Sequence, residues 1–272
     1  MNRKHVFIII MLFMIYASFL FIEKKFDQNG QSPTIQVPQT TLKVSVKDKE
    51  SILLKDVKAT DDEDGNLSSQ VYIENISAFQ NNQKRIITYA VIDSDDNITR
   101  TTRELQYTDY KKPDLYLTDA LCLTYIESTN ALKDYVAAKS VVDGDLSSKI
   151  SVDRADYQDG QYQVTYSVTD SCGVKVSLKT NVTLLTTESP VHISLKNYSL
   201  RVKKGTEISP QKYIDKIDLM GINYSYLKNN VTVSHHYDAS QEGTYEFLYR
   251  IKIDGEVGIT KLIVIVEGDE NE

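Results

Sequence analysis

KATDDEDGNLSSQV at residues 58–71 and AKSVVDGDLSSKIS at residues 138–151 share one plan: an acidic turn closing on Asp-Gly, then a Leu and a Ser-Ser pair. A second element recurs at a similar offset. TYAVIDSDDN at 88–97 matches TYSVTDSCG at 165–173, and GTYEFLYRIKIDG at 243–255 is a looser version of GQYQVTYSVTDSCG at 160–173. Self-similarity at a fixed period means copies of one supersecondary unit, here three copies of about eighty residues. Between these landmarks run LKVSVKD, RIITYAVID, QYQVTYSVTD, VKVSLKTNVTLL and LIVIVEG. Their period-two patterning and their Val, Ile, Thr and Tyr content predict strands. Helical periodicity after Ile22 is weak and confined to NALKDYV and SPQKYIDK. The expected fold class is all-β, in three domains over 40–110, 111–188 and 189–268.

That repeat length suits a seven-stranded immunoglobulin-like sandwich, in which a Tyr near the start of strand F folds its hydroxyl back onto the preceding corner. Tyr162 follows Gly160, and Tyr245 follows Gly243, at the spacing this corner needs. In the first unit the aligned positions are Gln83 and Arg85, so the corner is missing there. Gly65 and Gly144 give the acidic turns the backbone freedom a tight reversal requires. In these residues the chain resembles the bacterial Ig-like repeats of Gram-positive surface proteins, of the kind found beside hyalin-type repeat modules. Asp143-Gly144-Asp145-Leu146 followed by Tyr162, Val164, Tyr166, Val168 and Asp170 matches that pattern nearly whole. The first unit keeps Asp64-Gly65-Asn66-Leu67, Tyr89, Val91 and Asp93. The third keeps only the later half, with KIDLMGINYS in place of the acidic turn. The resemblance covers about residues 40 to 268 and implies three tandem Ig-like β-sandwiches. It speaks to fold, because such modules serve as spacers, adhesins and binding platforms alike.

Residues 1–25 carry Arg3 and Lys4 before an uncharged run from Val6 to Ile22. The run is longer than the apolar core of most signal peptides, and Phe19 sits where a cleavage site wants a small residue. The expectation is a single-pass, uncleaved membrane anchor with its basic amino end in the cytoplasm and the later domains extracytoplasmic. An inefficient signal peptide is the alternative. Residues 26–39, with Pro33 and Pro38, read as a linker, and 269–272 as an acidic tail.

The 272 residues carry a formal charge of -7, which leaves no basic excess for phosphate and argues against a nucleic-acid partner. No nucleophile triad, phosphate loop or H-E-x-x-H occurs, so an enzyme is not expected. Asp61, Asp62, Glu63 and Asp64 lie in the B to C turn, and Asp93, Asp95 and Asp96 in the F to G turn, of the first unit. A sandwich brings those turns to one end. So many carboxylates suit Ca²⁺, which takes about six to eight oxygens. Ordinary solvated turns are the favoured alternative, since the spacing is not that of an EF-hand. Apart from that possible Ca²⁺, no cofactor is implied.

Cys122 and Cys172 are the only cysteines. If both lie at the end where the second domain begins, they pair as a disulfide; as small apolar residues they stay free. His235-His236 reads as part of a strand, whose successive side chains face opposite ways and cannot share an ion. Tyr224, Tyr226 and Tyr237 offer a sugar-stacking face or ordinary strand duty. The functional expectation is a non-catalytic spacer, adhesion or scaffolding protein with a protein or cell-envelope partner. The alternatives are a glycan-binding accessory module and a regulatory subunit of an envelope assembly.

Overall fold

Period-two patterning builds one seven-strand arrangement three times. The computed structural model describes residues 11–18, 30–80, 83–158 and 161–268. The first copy contains β1 (Thr34–Gln36), β2 (Thr41–Val44), β3 (Lys58–Asp61), β4 (Gly65–Asn66), β5 (Tyr72–Ile76), β6 (Lys84–Ile92) and β7 (Ile98–Tyr107). The second contains β8 (Asp114–Leu117), β9 (Cys122–Leu123), β10 (Val136–Ser140), β11 (Gly144–Asp145), β12 (Ser151–Gln158), β13 (Gln161–Thr169) and β14 (Lys175–Leu184). The third contains β15 (Val191–Leu195), β16 (Ser199–Lys203), β17 (Ile214–Leu219), β18 (Ile222–Asn223), β19 (Thr232–Ser234), β20 (Gly243–Ile253) and β21 (Glu256–Glu267).

Each copy has a three-stranded and a four-stranded sheet with the same connectivity. β1-β3-β4 accompanies β2-β7-β6-β5, and the orders β8-β10-β11 with β9-β14-β13-β12 and β15-β17-β18 with β16-β21-β20-β19 repeat it. Adjacent strands pair antiparallel except β2 with β7, β9 with β14 and β16 with β21, which are parallel. The first-strand segment of every copy therefore starts in one sheet and finishes in the other. Apolar side chains from both sheets close the core between them. In the first copy Ala59 of β3 meets Ile87, Tyr89 and Val91 of β6 and Leu105 of β7.

The chain divides into two compact units, one ending at Tyr110 and one running from Lys111 to Glu272. The expected division near residue 188 is thus internal to the second unit. Leu262 and Val264 of β21 fill the third core, while Ile263 and Ile265, pointing the other way, pack on the second. A strand buried on both faces reads as an unbroken apolar run, which is why LIVIV lacks polar alternation.

One boundary within the first copy differs from expectation. β1 lies inside the stretch 26–39 read as a linker, and its pairing Thr34↔Thr60 to Gln36↔Lys58 starts the first sandwich before residue 40. Pro33 and Pro38 flank a sheet edge, where a missing N–H costs no ladder bond. At the amino end residues 11–18 are helical, and the rest of the expected anchor lies outside the described residues, as does the tail 269–272. Among the described residues no helix is long and apolar enough to cross a membrane.

Candidate functional site

The repeated acidic stretch is a joint between two turns. β3 pairs with β4 through Asp61↔Gly65 and β10 with β11 through Ser140↔Gly144, so three residues reverse each hairpin and a left-handed Gly closes it, at φ 71° and 74°. This is the three-residue hairpin loop with an αL bulge residue. Asp61 Oδ1 accepts the N–H groups of Glu63 and Asp64, both at 3.0 Å. Ser140 Oγ does the same work for Val142 at 3.1 Å and Asp143 at 3.2 Å. The last acid of each turn then reaches across to the F to G turn. Asp64 Oδ2 accepts Ser94 N–H at 2.7 Å, and Asp143 Oδ2 accepts Ser171 N–H at 2.8 Å.

The Leu-Ser that follows is equally structural. Asn66 and Asp145 accept the N–H of Ser68 and Ser147, at 3.0 and 2.9 Å, and start a short 3-10 turn. The Ser68 and Ser147 hydroxyls accept the N–H of Ala59 and Ala138, at 3.1 and 3.2 Å. The third sandwich keeps this half through Asn223, Ser225 and Ile217. What it lacks is one turn residue: Leu219 pairs with Ile222, and Met220-Gly221 makes a two-residue reversal at φ 49° and 82°. Neither residue of that shorter turn carries a carboxylate, so no acid takes the part of Asp64 or Asp143.

Asp93 Oδ1 accepts the N–H of Asp95 at 3.0 Å and of Asn97 at 2.7 Å, and Oδ2 accepts Asn97 Nδ2 at 2.9 Å. Burial pushes its carboxyl up, but the bonds from Asn97 and the Asp95 amide outweigh burial and hold it below the ordinary Asp value. Asp95 Oδ2 accepts the N–H of Gly30 at 3.3 Å. Glu63 is pushed up, chiefly by the negative charge of Asp95. Asp62 and Asp96 are exposed. The structure thus brings the two acidic turns together, with Asp61, Asp64, Asp93 and Asp95 each accepting a backbone amide. Among the described residues no three His, Cys, Asp or Glu are grouped to hold a metal ion.

The sequence reading missed a second repeated device. Tyr89, Tyr166 and Tyr249 occupy one position of the F strand and are fully buried. Their hydroxyls donate to Leu53 O at 2.7 Å, Leu132 O at 3.0 Å and Pro210 O at 2.9 Å. Each acceptor lies in or at the edge of the short helical connection before β3, β10 or β17: Glu50–Leu53, Asn130–Tyr135 and Pro210–Tyr213. Burial pushes all three phenols up. The repeated Tyr was visible in the sequence, but its partner is a carbonyl of varying residue type.

Tyr245 donates to Gln241 O at 3.0 Å across its corner. Tyr162 packs at a tilt on Tyr157, centroids 4.9 Å apart, under the Arg154 guanidinium. Gly160 lies outside the described residues. In the first sandwich Arg85, buried at the aligned position, donates to the carbonyls of Ile76 and Ser77 and lies over Tyr107. A guanidinium there performs the tie that a tyrosine makes in the third.

The expected disulfide between Cys122 and Cys172 is not formed. Cys122 sits beside Thr183, far along β14, whereas Cys172 is in the turn before that strand begins at Lys175. Thr183 is the eighth residue after Lys175 along the strand, about 26 Å at strand rise, well beyond the roughly 7 Å a disulfide spans. By Cys122 the chain has already crossed the sandwich. Burial pushes the Cys122 thiol up to about 11.

His235 and His236 follow β19 rather than lying in it, and the His235 ring stacks on Phe247 at 4.4 Å. Tyr237 donates to Thr206 O at 2.6 Å and packs on Tyr245 and Phe247. Tyr224 packs against the third core, leaving Tyr226 as the exposed ring of the three.

No protein-family model matches the chain, and no curated protein does. Among solved structures, the M60 catalytic domain with CBM51 domains of Clostridium perfringens ZmpB matches 88% of this chain and 31% of its own, at 11% identity and TM-score 0.24. The CBM51-2 domain of that protein in complex with GlcNAc, with INT domains, matches 54% of this chain and 26% of its own, at 20% identity and TM-score 0.23. The chain thus spans under a third of the length of either. Human CDH23 EC21-23 matches 86% of this chain and all of its own, at 11% identity and TM-score 0.23. Likenesses this slight carry no argument about function.

Proposed function

We propose that this chain is a non-catalytic array of three Ig-like sandwiches, displayed outside the cytoplasm from an N-terminal membrane anchor, that serves as a spacer or scaffold for an envelope partner. One observation carries the reading. The residues the chain repeats most faithfully, Asp64 with Asp143, Ser68 with Ser147 and Ser225, and Tyr89 with Tyr166 and Tyr249, all turn their polar atoms onto the protein's own backbone. What recurs serves the fold.

The test is protease treatment of intact cells making the full chain, followed by membrane fractionation. Digestion of residues 30–268 from outside, with the amino end kept in the membrane fraction, is the expected result. A full-length chain protected inside the cell, or recovered with the cytosol, overturns the proposal.

A further inference from the structure

Within the second compact unit a cleft of about 830 Å³ opens between the second and third sandwiches. One wall is the loop after β9 with the turn Asn130–Tyr135; the other is the segment entering β15. Tyr125 stands in it with 70% of its surface exposed, and Tyr135 lies half-buried nearby. Exposed aromatics in a concave wall are the side chains interfaces use as anchors.

The charged side chains that line the cleft have one sign. Glu127, Asp134 and Glu188 line the cleft; its lining contains no Lys or Arg among the described residues, and His192 is the one imidazole. The Tyr135 phenol is pushed up by burial first and then by Asp119 and Asp134. Lys261, behind Cys122, is already engaged by Asn181 O, Thr183 Oγ1 and Glu246. A concave acidic wall concentrates cations, and an exposed phenol ring attracts them through its face.

We propose that this cleft is a docking site for a lysine- or arginine-bearing peptide segment of a partner protein. The volume sits near the upper end of sites for small molecules, about 300 to 1,000 Å³, and accommodates a short peptide. A neutral saccharide would use the tyrosine but leave the three carboxylates without a counter-charge. An anionic polymer would be repelled. The inference names a partner chemistry and holds wherever the chain resides, so its test is separate from that of localisation.

The test is titration of purified full-length protein with fluorescent tetralysine, against tetraglutamate and a neutral chitotetraose. Tetralysine binding that weakens with salt is expected. Tyr125→Ala, and the pair Asp134→Asn with Glu188→Gln, each raise Kd about tenfold. Asp153→Asn, on β12 outside the cleft lining, leaves Kd unchanged. Tyr125 is an exposed loop residue, and Glu127→Gln gives a second reading should either variant lose its thermal transition. Equal tetralysine binding by all variants would mean that net charge alone attracts the peptide, and this sinks the proposal. So does the absence of tetralysine binding, or tighter binding of chitotetraose lost in Tyr125→Ala.

Discussion

Arg103 of β7 and Lys261 of β21 are buried cations on the last strands of the first and third sandwiches, and their surroundings differ. Lys261, 1% exposed, lies on the face of β21 that meets the second sandwich and has a carbonyl, a hydroxyl and a carboxylate around its ammonium. Arg103, 4% exposed, shares a strand face with core residue Leu105, and its Nε and Nη1 have no hydrogen-bond partner. It interacts with the Tyr89 hydroxyl. A buried charge stabilises only when its partners replace the water it lost. Lys261 therefore fastens two sandwiches together, while Arg103 weakens its own.

Lys261→Ala should have the largest effect, lowering the stability of the second unit by about 3 kcal/mol, because Glu246 and the Asn181 carbonyl lose their cation. Urea unfolding followed through signals of the second sandwich checks this. A neutral result would mean that the contact is incidental. Next come Tyr89→Phe, Tyr166→Phe and Tyr249→Phe, each costing about 1 to 3 kcal/mol by leaving a buried carbonyl unpaired. Tyr89→Phe should cost the most, since it also strands Arg103; equal losses in all three would remove Arg103 from the explanation. Arg103→Leu should act in the opposite direction and stabilise the first unit by about 1 to 2 kcal/mol, read as a rise in its thermal midpoint. A fall would show that the guanidinium holds a contact worth more than its desolvation.

The strands and the period were legible in sequence, because alternation and Asp-Gly signals are local; that the two acidic turns meet followed from reading a sandwich, and the carboxylate-to-amide bonds that join them did not. The Tyr89 latch was not, since its acceptor is a backbone carbonyl whose side chain changes from Leu53 to Pro210. Nor was the union of the second and third sandwiches, although LIVIV held the clue: a strand with no polar face has two neighbours. The disulfide expectation failed because the first strand changes sheets, which carries Cys122 past the end where Cys172 lies. The absent acidic turn of the third copy is a deletion of one loop residue, which changed the hairpin type and left Asn223-Tyr224-Ser225 intact.

A smaller, pH-dependent contrast lies within the acidic end itself. The folded pKa of Asp93 is depressed, so the stability it contributes is present above its unfolded value, about 3.9, and is lost as pH falls through the lower folded value. Glu63 is raised, so its ionised form opposes folding, and protonation relieves that opposition as pH falls through its folded value. Asp95→Asn should bring the Glu63 titration, followed by NMR, back toward the ordinary Glu range. Millimolar Ca²⁺ should leave the titration in place; its abolition would make these carboxylates ion ligands.

If the repeated acidic stretch joins two turns, amide hydrogen exchange at Ser94 and Ser171 reports it. In the full chain both amides should be protected by the Asp64 and Asp143 carboxylates. Asp64→Ala should free Ser94 alone, Asp143→Ala should free Ser171 alone, and the β6–β7 and β13–β14 ladders should keep their protection. Unchanged exchange at both serines would contradict the joint and return the acidic turns to the pool of residues awaiting a function.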